Sequence, residues 1–219
     1  MSDDVATVAR GPRLRLVQGA IALLIFIVFA FAVARAVVDL PHLTAGTVPE
    51  DGYARPYVAH PWLAYLHITP GVLYLLGAPL QLSYRFRSRH YDFHRRLGRV
   101  LLSCALLSGV FAIVFGARFA FGGVGESAAT LVFGLWFLTC LLLAFRAIRG
   151  DDVVQHRRWM IRAFAMGIAV GTIRIWVVVF DSTGLFEFQD SFDVAFWLSF
   201  LIHAAVAELW VRTTPHPPG

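Results

Sequence analysis

Residues 60–84 read HPWLAYLHITPGVLYLLGAPLQLSY, and this stretch decides the fold. It is apolar over the roughly 20 residues that an α-helix needs to cross a hydrocarbon core. It nevertheless carries Pro61, Pro70 and Pro79, and its polar residues His60, His67, Tyr74 and Gln81 recur every seven positions. Seven residues of α-helix make nearly two full turns, so these four side chains share one face. A polar face on a helix in hydrocarbon must find partners inside the protein.

Composition extends this reading to the whole chain. Of 219 residues, 58% are hydrophobic and 15% charged, and the mean hydropathy is +0.67. Soluble domains carry about 25% charged residues, and a core of this size could not absorb so much apolar surface. The natural solvent is a bilayer. The net charge of +5 then reads as arginine-rich cytoplasmic loops, and no nucleic-acid partner is expected. Cys104 and Cys140, the two cysteines, both lie inside apolar runs, which argues against a disulfide framework or a cysteine zinc site.

Six apolar runs follow one another, at about 16–38, 61–83, 97–117, 127–145, 159–180 and 194–211. The first is longer than the roughly 7–15 apolar residues of a signal peptide and reads as an uncleaved span. Near its end Arg35 is placed to pair with Asp39 one turn on and to snorkel to the surface. Residues 39–60 read as a loop, with Pro41, Gly46, Pro49 and Gly52. Basic segments at the N-terminus (1–15), 85–99, 146–158 and in the tail (212–219) alternate with poorly basic loops at 39–60, 118–126 and 181–193. The expected fold is therefore an all-α, polytopic six-helix membrane domain over 16–211 with both termini cytoplasmic.

Four groups of residues could carry chemistry. His67, Tyr74 and Gln81 line the polar face of the second span, and Pro70, which cannot donate to the carbonyl of Leu66, disturbs the helix beside His67. Arg174 lies within the fifth span at an estimated depth like that of His67. It either snorkels toward Asp181 or joins His67, Tyr74 and Gln81 around a ligand. His67 and His203, on different spans, form a candidate pair of axial ligands for haem b. His94, Arg95, Arg96 and Arg99, together with His156, Arg157, Arg158 and Arg162, open two spans with repeated His-Arg-Arg motifs. They fit an anionic head group or a cofactor's acidic groups, or serve as positive-inside anchors that meet anionic lipid. An intramembrane metal hydrolase using His67, His156, His203 and Asp181 would need these groups at one depth, which the interfacial position of His156 opposes. No phosphate-binding glycine loop, dinucleotide fingerprint, zinc-protease motif or nucleophile elbow is present.

The succession of motifs resembles a family of predicted bacterial membrane proteins known as domain of unknown function 2306. The resemblance is carried by His67, Gly77-Ala78-Pro79-Leu80-Gln81, His94-Arg95-Arg96-Leu97-Gly98-Arg99, His156-Arg157-Arg158-Trp159-Met160-Ile161-Arg162-Ala163-Phe164, Arg174 and Glu208. It implies a multi-pass protein of the bacterial inner membrane and assigns no activity. In the family pattern an asparagine often stands near the position of His203, which would prevent a haem held by His67 and His203 from being the general function. A looser similarity to transmembrane b-type cytochromes rests only on histidines spread over several helices. Three functional readings stay open: a redox protein linked to haem or quinone, a small-molecule transporter or binder, and a non-catalytic assembly factor with a membrane-protein partner.

Overall fold

The computed structural model describes residues 2–214, with side chains from Leu14 onward. The side chains of Arg10 and Arg13, and the tail from residue 215, lie outside the described residues. Among the described residues there is no strand. The helices are α1 (Ser2–Ala45), α2 (Arg55–Ala59), α3 (Pro61–Leu82), α4 (Tyr84–Arg89), α5 (Tyr91–Phe119), α6 (Val124–Arg149), α7 (Val153–Thr183) and α8 (Phe188–Thr213). Six of them, all but α2 and α4, are long and apolar enough to cross a membrane. Large apolar side chains such as Phe26, Leu73, Leu135, Val178 and Leu201 are exposed on the outside of the bundle. In water such a surface would aggregate; in a bilayer it is the lipid-facing surface. The chain is a six-helix membrane protein.

The helices pack largely in chain order: α3 on α5, α5 on α6, α6 on α7 and α7 on α8, which turns back onto α6. α1 lies outside this group, against α7 and α3, and most of its apolar surface is open. Lipid chains are as apolar as leucine, so burial of apolar area does little to hold helices together here; close packing and interhelical hydrogen bonds must do so. Small residues mark the crossings. A Cβ on Gly134 would sit 2.6 Å from Cγ1 of Ile113, and one on Gly171 would sit 2.8 Å from the backbone carbonyl oxygen of Leu24. Gly171 is thus where the backbones of α1 and α7 come closest to touching.

Two connections differ from the sequence reading. α1 continues past Pro41 to Ala45, because proline removes only one helical donor and Thr44 Oγ1 donates to the carbonyls of Leu40 and Pro41. The helix stops at Gly46, whose φ of +66° suits glycine, and the amide of Thr47 donates to the carbonyl of His42 at 3.0 Å. That is the bond pattern of a left-handed helix stop. The rest of the connection is not an open loop, because it contains α2. The second difference concerns Arg35. It pairs with Asp39 as expected but does not snorkel: it is 5% exposed and Asp39 is 0% exposed. The reason is α2, which lays the ring of Tyr57 4.4 Å from the Arg35 guanidinium.

The two ends of the bundle differ in charge. Five helix ends, α4 and the short 150–152 turn bring the arginine-rich segments to one end, here called the basic end. The connections at 46–60, 120–123 and 184–187 lie at the other.

The α1–α7 crossing yields a test. Gly171→Leu should overpack it, and overpacking costs about 1–3 kcal/mol. A lowered thermal midpoint in detergent is expected, whereas Gly19→Ala, which would meet nothing within 4 Å, should leave the midpoint unchanged or raise it.

Candidate functional site

The six membrane helices and the α2 connection enclose a cavity of about 200 Å³ in the half of the bundle away from the basic end. Its wall is mainly apolar and rich in aromatic rings. Phe31 of α1, Tyr53 and Tyr57 of the connection, Phe115 of α5, Phe133 and Phe137 of α6, and Phe192 and Phe200 of α8 all face it. Tyr53, Phe121, Phe188 and Phe192 interlock in edge-on and tilted contacts with centroids 5.2–6.3 Å apart at the end away from the basic segments. Edge-to-face aromatic pairs each add about 0.5–1.5 kcal/mol beyond the area they bury.

A few polar groups interrupt this wall, and each is placed by a local device. Arg174 comes from α7. Its guanidinium lies 3.8 Å from the ring centroid of Phe31, and Nη1 donates to Tyr53 Oη at 3.3 Å. Among the described residues it makes no ion pair, and its Nε is buried without a hydrogen-bond partner. It does not turn toward Asp181, which is exposed. Stacking on an aromatic face partly replaces the water a guanidinium loses.

His67, on α3, is held by α5. Its Nδ1 is 3.1 Å from the carbonyl oxygen of Ser108, and Ser108 Oγ donates back to the carbonyl of His67 at 2.8 Å. A carbonyl can only accept, so Nδ1 donates. In the neutral imidazole Nε2 then keeps its lone pair, and among the described residues no protein group meets it. Tyr74 is 3% exposed; its ring packs edge-on to Phe137 at 6.0 Å, and its hydroxyl has no partner. Thr130 Oγ1 on α6 is also unpartnered. Glu126, in the first turn of α6, accepts from the Gly122 amide at 2.6 Å.

Three of the four residues read as a ligand site, His67, Tyr74 and Arg174, line this one cavity. Gln81 is not among the lining residues. It lies near Gly98 of α5, whose added Cβ would be 3.1 Å from Gln81 Oε1. His60, the fourth member of the same face, stacks on Phe119 with centroids 4.5 Å apart. His203 does not border the cavity either: its Nε2 is 2.8 Å from Thr172 Oγ1, an α7–α8 bond. The described residues contain no group of three or more His, Cys, Asp or Glu placed to hold a metal ion.

The basic residues form a separate region. His94 and His156 are each the fourth residue of their helix. His156 Nδ1 is 2.9 Å from the carbonyl oxygen of Ala144, which ties α7 to α6. Arg95, Arg96 and Arg99 are exposed, whereas Arg157, Arg158 and Arg162 are partly buried. Arg162 is committed to the protein: Nη2 donates to Glu208 Oε2 at 2.7 Å, its guanidinium lies 4.7 Å from the Trp159 ring, and Arg212 Nε reaches Glu208 Oε1 at 2.9 Å.

Tyr53, Tyr57, Thr130 and Glu126 belong to the site and were not found from the sequence. The first two sat in a segment read as a loop, although tyrosines at i and i+4 beside Arg55-Pro56 hinted at a covering turn. Glu126 fell just outside the fourth apolar run. A lone acidic residue there was the available signal. Burial holds the Tyr57 phenol above its ordinary pKa, so it stays protonated and able to donate.

The buried pair above the cavity gives a prediction. Asp39 also accepts from Tyr65 Oη at 2.8 Å, so Asp39→Ala strands a guanidinium and a phenol together. Removing one partner of a buried pair costs about 3–5 kcal/mol. A large fall in thermal stability is expected, and the Arg35→Met/Asp39→Leu double variant should recover most of it. Arg212→Ala, on an exposed side chain, should change stability by less than about 0.5 kcal/mol.

Searches of curated proteins and of solved structures found no match. A family model described as "Predicted membrane protein (DUF2306)" matches residues 64–211. That match runs from α3 to the end of α8 and takes in His67, both His-Arg-Arg motifs, Arg174 and Glu208. With six membrane-crossing helices and the expected motifs in place, the chain belongs to the DUF2306 family of predicted membrane proteins.

Proposed function

We propose that the cavity binds a small lipid-soluble molecule with a planar, oxygen-bearing head, of the quinone class, and that the protein acts in quinone-linked redox chemistry. One observation carries this reading. Three buried polar atoms on a mainly apolar wall rich in aromatic rings, Arg174 Nε, Tyr74 Oη and Thr130 Oγ1, have no partner in the protein. Unmet polar groups cost about 1–3 kcal/mol each, and a ligand carrying acceptors on a flat ring would meet them while its faces stack on phenyl rings. The volume fits: an apolar cavity of roughly 150 Å³ takes up benzene. Both oxidation states find suitable groups. A quinone carbonyl accepts from Arg174 or Tyr74, and a hydroquinone hydroxyl donates to the Nε2 lone pair of His67. Haem b held by His67 and His203 is less well supported, because His203 does not border the cavity and its Nε2 faces Thr172.

We infer that the basic end faces the cytoplasm of a bacterial plasma membrane, a reading supported by the charge asymmetry of the connections. Both termini then lie inside, the cavity lies in the outer half, and the exposed Arg95, Arg96 and Arg99 meet anionic lipid head groups. With Cys104 and Cys140 replaced, a cysteine at position 184 should react with an impermeant maleimide on intact spheroplasts and one at position 150 should not. The reverse pattern would overturn the orientation.

Binding is tested with purified protein in nanodiscs and short-chain benzoquinone and naphthoquinone analogues. Saturable binding is expected. Arg174→Gln should weaken it at least tenfold, equivalent to about 1.4 kcal/mol, and Tyr74→Phe by roughly threefold to tenfold, the net effect of one hydrogen bond. No saturable binding to the native protein, or equal affinity in all three, would overturn the reading.

A further inference from the structure

A second hollow, of about 600 Å³, opens on the side of the bundle between α6, α7 and α8. Its floor and walls are apolar at one end, with Leu135, Ala204 and Ala207, and end at the Arg162–Glu208 pair. Phe133 and Met166 line this groove and also the central cavity. The two spaces are therefore neighbours across a wall made by these side chains. Both are almost fully buried, and methionine, unbranched and with three rotatable bonds, is the side chain that most readily re-packs around an inserted chain.

All three helices give the groove the same direction. From the shared wall, α6 proceeds from Phe133 to Thr139, α7 from Met166 back to Arg162, and α8 from Ala204 to Glu208. Each step leads toward the basic end. The groove is an apolar track about 9 Å long on α6, at 1.5 Å per residue, starting beside the cavity and stopping at an ion pair.

We propose that the ligand is a tailed membrane quinone: its head occupies the cavity and its hydrocarbon tail passes between Phe133 and Met166 into the α6–α7–α8 groove. This rests on the cavity reading above and adds the ligand's second half. It also gives the ligand a lateral route in from the bilayer, so the aqueous connections need not open. A head group alone would leave the track filled by ordinary lipid chains. A chain continuous with the bound head occupies it without separately losing the freedom of a second molecule.

The test uses a quinone analogue with a photoreactive diazirine on its tail, cross-linked to native protein in nanodiscs and mapped by peptide mass spectrometry. Labelling within residues 132–139 and 204–208, competed away by the tail-less head analogue, is the expected result. Thr139→Trp, a change on an exposed residue that fills the groove, should cut this labelling at least fivefold while the tail-less analogue binds within twofold of native affinity. Labelling of the groove that the tail-less analogue does not compete would mean that it takes lipid chains independently of the cavity, and would overturn the proposal. Competed labelling elsewhere would show a different path for the tail and overturn it while leaving the cavity site intact. Failure of the tail-less analogue itself to bind native protein would remove both.

Discussion

An arginine inside hydrocarbon has to be given something to hold, and the upper half of this bundle is arranged around that requirement. Arg174 has no carboxylate partner among the described residues. It leans on Phe31 of the outlying first helix and donates to Tyr53 of the connection that follows it. Those two contacts draw α1 and the α2 connection over α7. Tyr53, with Tyr57 of the same connection, also covers Arg35, so the second buried guanidinium is secured by the same small piece of chain. A central arginine on a membrane helix costs on the order of 2.5–3.5 kcal/mol by insertion. Arg174 Nε is left without a partner in the protein.

The rest of the site follows from how helices associate in lipid. Glycine crossings bring α5 and α6 close enough for their aromatic side chains to form a continuous wall. Ser108 does two things at once at the α3–α5 crossing. It fixes the histidine ring through its carbonyl and caps the histidine carbonyl through its hydroxyl. Orientation and tautomer of His67 are thus set by one residue on a neighbouring helix. At the opposite end the logic is electrostatic. Glu208 sits between Arg162 and Arg212, which commits Arg162 to a contact within the protein, whereas Arg95, Arg96 and Arg99 are exposed.

Much of this was legible in the sequence because membrane solvent simplifies the code. Length and hydropathy give the crossing helices, and the seven-residue spacing of His67 and Tyr74 put both on the face that lines the cavity. The same spacing failed for Gln81, which lies two turns further toward the basic end, where the cavity has closed. Arg174 could be singled out by cost but not by direction: whether it reached along its own helix to Asp181 or inward depended on Phe31 and Tyr53, more than a hundred residues away in the chain. His203 looked like a ligand from its isolation in an apolar run, yet Thr172 on the facing helix meets it. Pairings across helices of this kind carry no local signature. The covering role of α2 was hidden for a related reason, since a five-residue helix inside a proline- and glycine-bearing connection has too few residues to show a period.

The boundary of the family match falls across the cavity wall. Residues 64–211 are matched, and they supply Arg174, His67, Tyr74 and Thr130. Phe31, Tyr53 and Tyr57, which complete the enclosure, come before residue 64. The unpartnered polar groups thus belong to a frame described by the family model, while part of the cover at the end away from the basic segments comes from a segment it does not describe. The family model leaves the cover unspecified. Under the proposed reading, selectivity among related ligands becomes a property of the α1–α2 segment, and exchanging that segment would change the preference while leaving the contacts to the head group in place.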